Sequence, residues 1–120
     1  MALSASWFLI ILGVFHLLVG AITFKADLVN VFKSGLINQF SATETRRLIF
    51  WFLIAGLFVI LIGCAGLHAA AISDVYFFKI TGINLLIISI FGVLAVPKSP
   101  FWGLLIASAL FIVYGYGVLK

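Results

Sequence analysis

Long apolar runs, broken by short polar stretches, set the pattern of this chain. The first covers residues 6–23; it holds no formal charge and one histidine, His16. Three more cover 48–70, 75–96 and 101–119. Each has the length of a helix that crosses a hydrocarbon core of about 30 Å. These runs lack a polar face, so the pattern predicts helices that meet lipid or one another rather than water.

The stretch 26–40 reads differently. Leu28, Phe32, Leu36 and Phe40 recur every four residues, with Lys33 and Asn30 among them. That spacing predicts an amphipathic helix lying in the headgroup region, although Gly35 weakens it. Ser41 and Glu44 have capping-box spacing ahead of the second run, with Thr43 as an alternative cap. Ser73 and Asp74 suit a cap before the third run, and Pro97 to Pro100 suits a tight turn before the fourth.

The fold class predicted is therefore all-α. It is one polytopic transmembrane domain, an antiparallel bundle of four transmembrane helices with an interfacial segment between the first and second. Short connections after the second and third runs force antiparallel neighbours. Gly13, His16 and Gly20 share one face of the first helix, and Gly56 and Gly63 share one face of the second. Glycines at such spacing admit close helix approach, so these four glycines are assigned to packing. Asn84 is expected to face another helix, because an amide in hydrocarbon needs a partner. Cys64 is expected to be a small packing residue.

Composition supports lipid as the solvent. Hydrophobic residues make up 66% of the chain and charged residues 8%, against about 25% charged in a soluble domain. The net charge is +4, too sparse for a nucleic-acid surface. Lys25, Lys33, Arg46, Arg47 and Lys98 fall on one side of the predicted membrane, and Lys79 and Lys120 on the other. This bias predicts the first group inside and both termini outside. The same residues suit anionic lipid headgroups. Small residues at Val19-Gly20-Ala21 resemble a signal cleavage site, but no basic residue precedes the run, so the first helix is expected to be retained.

Candidate chemistry is thin. His16 lies roughly 15 Å along the helix from Ser6, near the predicted midplane. An ionisable group there is either functional or satisfied by Asn84, Ser89 or a backbone carbonyl. His68 lies near the far end of the second run, roughly 15 Å in axial offset from His16. That offset argues against shared metal or haem coordination, and no cysteine or carboxylate cluster completes a metal site. Asp27, Glu44 and Asp74 all lie near surfaces. Ser89 and Ser108 have no histidine–carboxylate pair to activate them. No catalytic residue, metal site or cofactor is predicted.

Three segments carry a resemblance: Phe15-His16-Leu17-Leu18-Val19-Gly20, Arg46-Arg47-Leu48-Ile49-Phe50-Trp51-Phe52, and Pro97-Lys98-Ser99-Pro100-Phe101-Trp102. With them the chain resembles a family of small bacterial four-helix membrane proteins of unknown function. Pro100 stands where that family often has glycine. The resemblance implies the bacterial cytoplasmic membrane and no particular activity.

The expectation is a non-enzymatic membrane protein, structural, regulatory or lipid-interacting. Its partners would be membrane lipids, a second copy or a larger membrane complex. A small dimeric transporter using His16 is one alternative. A haem-, quinone- or lipid-dependent membrane enzyme is another.

Overall fold

The computed structural model describes residues 2–96 and 101–117. These form five helices and no strand: α1 (Ala2–Thr23), α2 (Lys25–Lys33), α3 (Glu44–Ala71), α4 (Val75–Ala95) and α5 (Phe101–Gly115). The turn at Pro97 to Pro100, with Lys98, and the chain end with Lys120 lie outside the described residues.

Helices α1, α3 and α4 are long and apolar enough to cross a membrane. The expectation of four such helices is corrected. Helix α5 has 15 residues, about 22 Å, which falls short of a core of about 30 Å. It stops because Gly117 adopts a left-handed φ of 72°, folding the chain back so that its N–H donates to the Tyr114 carbonyl.

The interfacial segment is also shorter than its periodicity predicts. Helix α2 ends at Lys33 rather than near residue 40. Gly35 takes a φ of 102°; its N–H donates to Phe32 O, and the Leu36 N–H donates to Val31 O. This pair of bonds is the glycine-centred stop known as a Schellman motif. The glycine that looked like a weakness inside the helix is its terminator. Leu36 and Asn38 follow with φ of 65° and 59°, so the fourfold spacing of Leu36 and Phe40 has no helix to lie on.

Helix starts follow side-chain chemistry. Thr43, not Ser41, caps α3: its Oγ1 accepts the Arg46 N–H at 3.1 Å. Asp74 caps α4, accepting the Phe77 N–H at 3.1 Å. Between them the chain repeats the stop seen at Gly35. The Asp74 N–H donates to Ala69 O and the Ser73 N–H to Ala70 O, with Ser73 at φ 56°.

The helices pack as two antiparallel pairs, α1 with α3 and α4 with α5. Glycines set the first pair. A Cβ on Gly13 would lie 2.8 Å from the Gly56 carbonyl oxygen, and one on Gly63 would lie 2.8 Å from that of Ser6. Backbone therefore meets backbone at two levels along the pair. In the second pair, a Cβ on Gly115 would lie 2.8 Å from the Lys79 backbone nitrogen. The two pairs meet most tightly near the α3–α4 turn. There Phe78 and Phe111 are fully buried among Ala2, Ala5, Leu9 and Ala69. Their rings sit 4.9 Å apart and edge to face at 89°, the arrangement ring quadrupoles favour.

Candidate functional site

At the other end of the molecule, toward α2, the two pairs part. A half-open cavity of about 450 Å³ lies between them. Leu12 and His16 of α1, Phe52 and Val59 of α3, and Phe101 and Leu104 of α5 form most of its wall. The volume is in the range of small-molecule pockets, about 300–1,000 Å³. His16 is the one polar side chain among its lining residues.

His16 is half-buried and held on α3. Its Nε2 donates to the Phe52 carbonyl oxygen at 2.8 Å. Its ring stacks on the Phe52 ring, with centroids 3.9 Å apart and planes inclined by 19°. Gly56 makes this possible. A Cβ there would come within 3.1 Å of His16 Cδ2, so a side chain would crowd the imidazole. A carbonyl can only accept, so Nε2 carries a proton; the tautomer with that one proton leaves Nδ1 as an acceptor. The histidine is thus a fixed wall group with one lone pair to offer.

Along α1, His16 lies fourteen residues from Ala2 and seven from Thr23, about 21 Å and about 10 Å from the two ends of the helix. The cavity it lines reaches Leu48 of α3, directly after Arg46 and Arg47 in the chain. Lys25 and Lys33 are exposed on α2. The two arginines hold the connection ahead of α3. Arg46 Nη1 donates to the Gln39 side-chain oxygen at 3.2 Å, and Arg47 Nη1 donates to Ser41 O at 3.0 Å.

Other sequence candidates lie elsewhere. His68 is exposed near the end of α3; it is sixteen residues from Phe52, about 24 Å along the helix, and so farther from His16 than the sequence estimate. Asn84 does not face another helix. It is exposed on α4, and its Nδ2 donates to Ile80 O of its own helix at 2.9 Å. Cys64, expected to pack, is exposed as well. Ser89 and Ser108 are buried, and their hydroxyls donate to Leu86 O and Leu105 O within their own helices. Gly13, Gly20, Gly56 and Gly63 all lie in the α1–α3 contact. Among the described residues, no group of three or more His, Cys, Asp or Glu side chains could hold a metal ion.

Sequence reasoning located His16 and Gly56 but missed the cavity. Its walls come from ordinary leucines, valines and phenylalanines on three helices. The one local signal was a glycine on α3 at the depth of the α1 histidine. No curated protein and no solved structure matches the chain. Residues 2–116 match a family described as "Family of unknown function (DUF6463)", and the chain belongs to that family.

Proposed function

We propose that this protein is a non-enzymatic membrane protein that binds a lipid, taking an apolar tail into the cavity at its basic end. The observation that carries this reading is the wall itself: apolar on every side but one, with a single positioned acceptor at His16. An apolar chain gives up little solvation by leaving the lipid phase for such a wall, and a lipid hydroxyl held close to Nδ1 could donate to it. Lys25 and Lys33, exposed on the same side, suit an anionic headgroup, with each such residue contributing about 1 kcal/mol near an anionic surface.

In this reading the chain sits in the bacterial cytoplasmic membrane. The basic end faces the cytoplasm and both termini face outward, as the lysine and arginine bias favours. The fixed hydrogen bond from His16 to Phe52 supports a binding role for the histidine over that of a mobile proton carrier.

The test is gentle purification followed by mass spectrometry of what stays bound. The wild-type chain should carry a lipid at near one copy per chain. Ala55→Phe should weaken its retention, because Ala55 lines the cavity and a phenyl ring there would take up part of the space the tail needs. Bound lipid that is unchanged in Ala55→Phe, with the helix content intact, would remove this proposal.

A further inference from the structure

We infer that α4 is the interface between two copies of this chain, joined by a hydrogen-bonded pair of Asn84 side chains. Asn84 lies near the middle of α4, about 13 Å from Val75 and about 16 Å from Ala95. If α4 spans the bilayer, that is the driest level. The buried face of α4 runs through Phe78, Gly82, Leu85, Ser89 and Gly92 toward α5. Asn84 follows Gly82 by two residues, some 200° around the helix, and so points away from the partner α5.

The amide is not satisfied there. Its one hydrogen bond among the described residues goes to Ile80 O, an acceptor that already serves the α-helix. One N–H and the Oδ1 oxygen remain unspent. In hydrocarbon an unsatisfied polar group is costly, and lipid tails offer neither donor nor acceptor. An asparagine amide is complementary to itself, since each donates to the oxygen of the other. Two copies inserted in the same direction and related by a twofold axis along the membrane normal place Asn84 opposite Asn84 at equal depth. A second copy of this chain is the one partner guaranteed to carry an amide at that level.

The surroundings suit a helix seam. Ile80, Ile87, Ile88 and Phe91 stand at −4, +3, +4 and +7 from Asn84, and all are exposed. These are the positions that flank a residue at a two-helix contact. Isoleucines have stiff side chains and lose little freedom on packing. The exposed face of α3, with Leu57, Leu61 and Cys64, has no such amide at its centre. The cavity is lined chiefly from α1, α3 and α5, so the interface on α4 and the lipid proposal are independent.

The experiment uses full-length protein in lipid bilayers. Ile87→Cys in a Cys64→Ala background should form a disulfide-linked dimer on mild oxidation, while the native Cys64 on α3 should not. Energy transfer between labelled copies, followed as lipid is added, gives the dissociation constant. Asn84→Leu should raise it roughly three- to thirty-fold, the span of interhelical polar contacts in membranes, while Asn84→Gln should retain most of the association. The inference is overturned by a wild-type chain that is monomeric at low lipid dilution, or by a dimer indifferent to Asn84→Leu. It is overturned equally if Ile87→Cys crosslinks in native membranes only to a different protein. The cysteine crosslink leaves the amide intact, so it decides the matter even if Asn84→Leu folds poorly.

Discussion

The two ends of this molecule are built from the same four helices and differ in what fills the space between them. At the α3–α4 turn, Ala2, Ala5 and Ser6 of α1 and Gly66 and Ala69 of α3 are small. They leave room that Phe78 and Phe111 occupy completely. Toward α2, bulkier side chains such as Leu12, Val59 and Leu104 hold the pairs apart, and about 450 Å³ stays unfilled. Close packing in lipid rests on van der Waals contact, because burial from one apolar medium into another supplies little. The end where small and large side chains interlock therefore fastens the fold, and the end whose helix pairs are held apart leaves a site.

This contrast predicts unequal costs for similar truncations. Phe111→Ala should destabilise most, by about 2–4 kcal/mol, since it opens a void in the closed end. Leu12→Ala, which enlarges a space already present, should cost less than about 1 kcal/mol. Reversible unfolding in mixed micelles measures both. Equal costs would abolish the distinction between the ends.

Next come the glycines. Gly63→Ala should cost about 1–3 kcal/mol, because its Cβ would meet the Ser6 backbone, which cannot swing aside. Gly103→Ala should be nearly neutral, since the nearest atoms its Cβ would meet belong to the flexible Leu12 side chain, 3.0 Å away beside the cavity. The same unfolding assay ranks them.

His16→Phe should cost about 1 kcal/mol, losing the bond to Phe52 O and keeping the stacked ring. The interesting readout is lipid retention. A bound lipid that stays at wild-type level would show that Nδ1 contributes nothing to holding it. The smallest effect belongs to the turn at the closed end. Ser73→Gly should stabilise by up to about 1 kcal/mol, because glycine adopts the left-handed φ of 56° without the steric penalty serine carries. A lower melting temperature for this variant would contradict the stop described for α3.

Much of the architecture was legible along the chain. Apolar runs located α1, α3 and α4, and the seven-residue spacing of Gly13 with Gly20 and of Gly56 with Gly63 marked the faces that meet. Asp74 was readable as a cap because its chemistry is local. The interfacial helix was overextended because periodicity outweighed Gly35, whose left-handed backbone ended the pattern. The fourth run was overextended at the other terminus, where Gly117 interrupts an apolar stretch that composition alone treats as continuous. Asn84 was read as inward-facing by a rule about satisfying amides. Which side of α4 is inward depends on where Gly82 and Gly92 sit, and those follow α5.

By itself, then, the amino-acid order determined which segments are helical, how apolar they are, where charge collects, and which glycines let α1 and α3 touch. Those properties are local or periodic. Only the tertiary structure decided that His16 would reach the Phe52 carbonyl, that the helices would close at one end and part at the other, and that Asn84 would stand outside. Each of these depends on the relative placement of helices far apart in the chain, and that placement is set by the summed fit of side-chain volumes, which no single stretch contains.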